Sequence, residues 1–392
     1  MMKRQEGFSL IELMVAIAVF ILVIAAAAGV FGPLVNQFKQ QSKTAETNIE
    51  GIVGLELLRI DIEHAGHGLP WLFQNIINYN EAAAAPANAF NDAPSNLPRA
   101  IVSGNNVNYA NIMNGSDYLI IKSTVVSRND TSQRWSYIAI DNDPTNDPDT
   151  ETKAWGVEDL QNNNRVIVIK PKVSETKFRQ LVMNGNTYFA NYSATSFPLE
   201  FAPTKPFEYF LIYGIDPDTD PRMPFNRADY FVSTTNLPQR CATNTGVLEK
   251  VVVNQSDGGL TQFLPLLDCV ADMQIIYRLD MDDNGEAGTY ADADGSNVSS
   301  TDGGNVTNVQ QTMGDAELLR NRLKEIRVYV LAHEGQIDRF FTFSGFTLGA
   351  CPTCIRVGEM GLGRDFDIST IPDYLNYRWK VYTLVVRPQN LR

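Results

Sequence analysis

The sequence predicts an α+β chain: one long N-terminal α-helix, membrane-spanning in its first half, packed on a β-rich globular head. Three observations carry this. Phe8 to Phe31 is an apolar run interrupted by a single charge, Glu12. Apolar residues then recur at spacings of three and four as far as residue 65, the pattern of a helix with one buried face. After residue 70 the pattern changes to short β-branched and aromatic runs between turn residues. With 392 residues, 44% of them hydrophobic, the chain can fill one large or two medium cores.

The first helical half follows from length. At about 1.5 Å per residue, Phe8 to Phe31 reaches roughly 36 Å, enough to cross a bilayer. Lys3 and Arg4 precede it, and the positive-inside rule keeps that end cytoplasmic and everything after about Asn36 outside the cytoplasm. A cleaved secretory signal would have a shorter apolar stretch, although Ala25 to Gly29 imitates a cleavage site. Neither an anchor nor a signal accounts for Glu12. A carboxylate in hydrocarbon costs roughly 2.5–3.5 kcal/mol even on lenient insertion scales.

The second helical half follows from periodicity. Ala45, Ile49, Ile52, Val53, Leu57 and Ile60 form the expected head-facing stripe, and Arg59 and Glu63 form an i,i+4 pair. The helix is expected to end at Gly66 or Gly68, before Pro70. Gly51, Gly54 and Gly32-Pro33 are places where it could bend, with the main kink near Pro33.

In the head, strands are expected at 118–126, 165–170, 207–213, 230–234, 251–253, 273–279, 326–331, 339–343 and 379–387. Asp315 to Lys324 reads as a short helix with Asp315 as N-cap. Three Asn/Ala/Asp/Gly-rich stretches, 75–114, 141–152 and 285–307, read as surface loops. No internal repeat is evident.

Taken residue by residue, Lys3-Arg4-Gln5-Glu6-Gly7-Phe8-Ser9-Leu10-Ile11-Glu12-Leu13 resembles the leader and cleavage site of type IV pilins and pseudopilins. The resemblance implies that a prepilin peptidase cuts between Gly7 and Phe8 and N-methylates the new Phe8 amine. The apolar helix is then retained. It also implies a role for Glu12, which would pair with the Phe8 amine of a neighbouring subunit in a filament and set axial register. The divisions are then a cleaved leader (1–7), a membrane or filament-core helix (8–35), its amphipathic continuation (36–66) and an extracytoplasmic head (67–392).

Looser signals in the head resemble PilW-like minor pilins. They are His64-Ala65-Gly66-His67-Gly68-Leu69-Pro70, Arg240-Cys241, the run from Leu264 to Met273, Tyr277 to Asp280, and Tyr377 to Tyr382 with a basic tail. The implied partners are the prepilin peptidase, the inner membrane, other minor pilins and the pilus assembly platform. The implied location is the inner membrane first and the cell-surface pilus afterwards. The same superfamily contains J-type pseudopilins of type II secretion, usually shorter. The long loops also leave room for a pilus-tip adhesin or binding module.

Four cysteines, Cys241, Cys269, Cys351 and Cys354, all fall beyond the helix, and an even count in an oxidising compartment favours disulfides. Cys241–Cys269 and Cys351–Cys354 are the expected pairs. A redox Cys-x-x-Cys lacks a surrounding thioredoxin-like βαβ unit, and a four-cysteine zinc site lacks its second knuckle. No cofactor is required, and calcium is the one metal with a motif. Asp280, Asp282 and Asn284 alternate before Gly285 like the first half of a calcium loop, with Glu286 and Asp292 as further ligands. Ala291 stands where that loop needs its last Glu, so an acidic hairpin tip in solvent is the competing reading. His64 and His67 read as end-of-helix residues and His333 as part of a turn. No phosphate-binding Gly loop, nucleophile elbow or HExxH occurs, so no enzyme is expected. A net charge of −13 without a basic block argues against nucleic acid.

Overall fold

Pro33 is the one proline between Leu10 and Glu63, and it does not end the helix. The computed structural model describes residues 9–140, 152–205, 207–347, 349 and 351–391, and helix α1 (Leu10–Glu63) is unbroken, including through Gly32-Pro33. It ends where the glycines allow. His64 is the C-cap, and the chain turns away through Gly66 and Gly68, both at positive φ.

The head is one large sheet with a second sheet inserted into it. Strands β1 (Ile101–Gly104) and β2 (Tyr118–Ser123) begin the large sheet. The chain then leaves it to form β3 (Trp135–Ala139), β4 (Arg165–Lys172), β5 (Phe178–Leu181) and β6 (Tyr209–Asp216). It returns through β7 (Asn226–Ser233), β8 (Gly246–Val253), β9 (Leu260–Leu279), β10 (Thr289–Asp292) and β11 (Val298–Ser300). Helices α2 (Val306–Gly314) and α3 (Ala316–Arg322) lead into β12 (Leu323–Glu334), a small hairpin β13 (Cys354–Val357) and β14 (Arg364–Asp367), and the closing strand β15 (Arg378–Val386). The large sheet runs β11-β10-β9-β8-β7-β2-β1, with β12 on the opposite edge of β9 and β15 beyond it. The inserted sheet runs β5-β4-β6-β3.

The 20-residue β9 is the organising strand. Its first half pairs with β8 and its second half with β12, so it belongs to both halves of the large sheet. Leu55, Leu58 and Ile62 of α1 pack onto this sheet among Leu119, Tyr230, Leu248, Val270 and Met273. The inserted sheet has its own core around Ile138, Val168, Phe197 and Ile212. Cys241 and Cys269 form a disulfide with Cα atoms 4.8 Å apart, tying β9 to the turn before β8. Cys351 and Cys354 are joined as well.

Several expectations are corrected. The helix buries Gly51, Gly54, Leu55, Leu58, Asp61 and Ile62, whereas Ile49, Ile52 and Val53 are more than half exposed. Hydropathy chose the wrong face because the head-facing side is built partly from glycine and a carboxylate. Gly51 and Gly54 serve close approach. A Cβ at Gly54 would stand 1.8 Å from Leu266 O, and one at Gly51 2.7 Å from Leu267 Cδ1, so both let β9 approach the helix. Residues 339–343 are not a strand. Phe340 is fully exposed and Phe341 lies under the Arg378 guanidinium, while the free edge of β12 is already taken by β15. The 285–307 stretch contains β10, β11 and the start of α2, which Asn305 caps through the Asn308 backbone. Of 141–152, only Thr152 lies within the described residues.

The 75–114 stretch is not a surface loop. It buries Ile77, Tyr79 and Ala87, and it carries Glu81 and Asp92 into the interior. Lys122 Nζ lies 2.7 Å from Glu81 and 2.6 Å from Asp92. Arg227 donates to Glu81 (2.9 Å), to both oxygens of Asp229 (2.7 and 2.9 Å), to Asn91 and to Ala87 O. Arg99 completes the set on Asp92, so three carboxylates face three cations. The cations hold the Glu81 and Asp92 carboxyls below the usual range despite burial. A buried charge without a partner is costly, so this balanced set fixes the irregular segment against β2 and β7.

His333 is buried at the end of β12 rather than in a turn, and its Nε2 accepts from the Ala242 N–H next to Cys241. Burial pushes its pKa down to about 3, and that of His67 down to about 4. The unfolded chain takes up these protons below about pH 6.5 while the folded chain refuses them, so stability falls on acidification. Asp272, pushed up to about 6 by burial, acts oppositely between about pH 6 and 4. From pH 7 to 5 each imidazole is expected to remove about 2 kcal/mol, with Asp272 returning about 1. His333→Gln, whose amide oxygen can accept the same N–H, should flatten the dependence of the melting temperature on pH. An unchanged slope would contradict the assignment.

Candidate functional site: the exposed helix and its attachment

Among the described residues, nothing in the head covers Leu10 to Phe31 of α1. From Leu10 to Phe31 the residues are exposed on every side, including Leu10 at 78% and Phe20 at 66%. Apolar surface of this extent on a helix needs lipid or other protein around it.

The carboxylate of Glu12 has a defined position at the start of this helix. Ser9 is the N-cap. Its Oγ accepts from the Glu12 N–H, and the Glu12 Oε2 accepts from the Ser9 N–H at 3.0 Å, a reciprocal capping box. Glu12 also sits where the helix dipole favours an anion. Gly7 and Phe8, the expected cleavage pair, lie outside the described residues. Ser9 was missed from sequence, although Ser-x-x-Glu ahead of an apolar run is a readable capping signature.

The second half of the helix is fixed to the head by close approach and by charge. Beyond Gly51 and Gly54, Asp61 points into the interior at 4% exposure. Its Oδ2 accepts from Lys250 Nζ (2.7 Å) and Tyr230 OH (2.8 Å), and its Oδ1 from Arg128 Nη2 (3.0 Å). One helical carboxylate therefore holds β7, β8 and the segment after β2. With Leu58 and Ile62 beside it, helix and head form one packed unit.

The candidate calcium ligands divide between two places. Asp280, Asp282 and Asn284 share a turn: Asp280 accepts from the Asn284 and Gly285 N–H groups and pairs with Lys324 Nζ at 3.0 Å. Asn284 donates to Asp282 and accepts from the Glu286 N–H, so Glu286 contributes its backbone there. Asp292 does not join them. It stands opposite Ile276, three ladder positions from the Leu279–Thr289 pair, roughly 10 Å along the hairpin, and is held by Asn105, Ser296 and Asn297. The residue that does approach Asp280 and Asp282 is Asp302, missed because it is distant in sequence. Each Asp280 oxygen already accepts a backbone N–H, and Lys324 places a positive charge beside it. Cys351 and Cys354 lie near Asp367, but their sulfurs are joined to each other rather than available as thiolates. His64 and His67 do not converge on a metal: His64 Nδ1 faces Ile60 O and His67 Nδ1 faces Thr124 Oγ1.

The exposed helix, its basic flank and its single acid are also what comparison with known families isolates. Residues 2–28 match the prokaryotic N-terminal methylation motif. The chain carries a type IV pilin-like prepilin signal at its N-terminus, followed by an apolar helix. The methylation motif covers Gly7, Phe8 and Glu12 and ends within the exposed half of α1. Such a signal implies processing by a prepilin peptidase and assembly into a pilus or pseudopilus. No curated protein and no solved structure matches the chain.

Proposed function

We propose that the chain is a structural minor pilin of a type IV pilus, of the PilW-like kind, acting in pilus assembly near the tip. The observation that carries this reading is the methylation motif leading into an apolar helix that the head leaves bare. Before assembly the helix sits in the inner membrane with the leader in the cytoplasm and the head in the periplasm. After cleavage it enters the filament core, where its exposed half contacts other subunits. Glu12 then exchanges the Ser9 N–H for the methylated Phe8 amine of a neighbour, a stronger charge-assisted partner. The function is assembly rather than catalysis, and the partners are other minor pilins and the assembly platform. A J-type pseudopilin would use the same helix, and the large, two-sheet head favours the pilus reading.

The test is Glu12→Ala in the full chain. Membrane insertion and leader cleavage should persist, while the amount recovered in sheared surface fibres should fall at least tenfold. Wild-type recovery of Glu12→Ala in fibres would sink the proposal. Recovery only in a secretion-dependent periplasmic pseudopilus would favour the J-type alternative.

A further inference from the structure

We propose that the head binds a carboxylated saccharide, such as a hexuronate, in an open cleft whose anion anchor is Arg222. The cleft, about 430 Å3, lies between the 75–99 segment and Arg222 on the approach to β7. Arg222 is half-buried, and its Nε is fully buried with no hydrogen-bond partner among the described residues. Among the described residues no carboxylate lies within 4.0 Å of its guanidinium. Asp257 feels its charge, but the Asp257 Oδ1 is occupied by the Gly259 N–H. Lys122 and Arg227, the fully buried cations of this region, are paired, whereas half-buried Arg222 lines the cleft with no side-chain partner among the described residues.

The guanidinium is positioned rather than loose. Gly258, at φ +77°, leaves the space that a side chain would take: a Cβ there would stand 2.8 Å from Arg222 Cζ and 3.0 Å from Nη2. The Arg222 backbone is held by Gln255 Oε1 on its N–H and by the Asn80 N–H on its carbonyl. With Nε buried, the two Nη nitrogens form the edge turned to the cleft, and that edge suits two carboxylate oxygens at once.

The rest of the lining favours a sugar over a peptide terminus. Glu81 and Asn91 are committed to the buried network, which leaves the exposed amides of Asn80 and Asn88 beside Arg222. Each amide offers a donor and an acceptor, matching the hydroxyls of a sugar ring. The apolar lining is alanine methyls and Pro94, which gives a peptide side chain no large apolar surface to pack on.

The experiment is calorimetric titration of the full chain in detergent micelles with trigalacturonate. Maltotriose serves as the neutral sugar and an acetylated tripeptide as another carboxylate. Saturable one-to-one binding of trigalacturonate is expected. It should weaken at least tenfold in Arg222→Gln and several-fold in Asn88→Ala, and be unchanged in Lys172→Gln at a remote exposed site. Maltotriose should bind at least tenfold more weakly. No saturable binding, undiminished affinity in Arg222→Gln, or tighter binding of the tripeptide would each overturn the proposal. If Arg222→Gln fails to fold, Arg222→Lys, which keeps the charge and loses the fork, should show the same weakening, and wild-type affinity in it would count against the site. None of these readings depends on filament assembly.

Discussion

Arg227→Ala is expected to destabilise the head by about 3–5 kcal/mol, the range for removing one member of a buried ion set. The side chain is fully buried and donates to Glu81, Asp229, Asn91 and Ala87 O. Without it, Asp229 keeps, among the described residues, the Tyr118 hydroxyl alone, and Glu81 shares Lys122 with Asp92. Three buried carboxylates would then face two cations, Lys122 and Arg99. Truncation also leaves a void where a large side chain had packed. Arg227→Lys should fall between, because it keeps the charge and loses the fork on Asp229. Urea denaturation followed by tryptophan fluorescence on the full chain in detergent measures this as a shift in midpoint. A loss below about 1 kcal/mol would mean that the network is not what holds the 75–99 segment.

Gly54→Ala should uncouple helix from head. The added methyl would meet backbone, the carbonyl of Leu266, which cannot rotate away like a side chain. Overpacking of this kind costs about 1–3 kcal/mol and occasionally more. It displaces the helix at the point where Leu55 and Leu58 begin to bury. The contrasting variant is Gly29→Ala, where nothing lies within 4 Å and alanine is the better helix former by up to about 1 kcal/mol. Limited proteolysis between residues 55 and 66 should become fast in Gly54→Ala and stay slow in Gly29→Ala. Equal protection of both would show that the helix tolerates a wider separation from β9 than the packed geometry implies.

How far the sequence was legible depended on whether a residue's role leaves a hydropathic trace. The length of α1, its bare first half and its end near Gly66 were readable because apolar composition and glycine punctuation act locally. The face it presents to the head was not. Gly51 and Gly54 act by lacking a side chain, and Asp61 by bonding residues 67 and 189 positions away. An apolar stripe search passes over all three. Segment 75–99 was misread for the same reason, since Glu81 and Asp92 look like surface residues until Lys122 and Arg227 are placed beside them. Strand β9 was seen only in part because Gln262 and Pro265 disguise its first half. At the N-terminus the opposite held. Glu12 was conspicuous as a lone charge, yet its bond to the Ser9 backbone comes from a four-residue signature beside it.

The attachment of α1 to β9 has a mechanical consequence. Gly51 meets Leu267, Gly54 meets Leu266, and Asp61 meets Lys250, which pairs with Leu264, so the helix ascends while β9 descends. A pull along the helix is therefore directed along the strand rather than across it. Load on a strand in that direction falls on all its ladder bonds together, those to β8 and those to β12, instead of opening them one at a time. The two ladders meet at Val270, and the disulfide at the adjacent Cys269 ties the strand covalently to Cys241. Tension transmitted through a fibre would thus enter the head in shear, the loading geometry in which a sheet yields last.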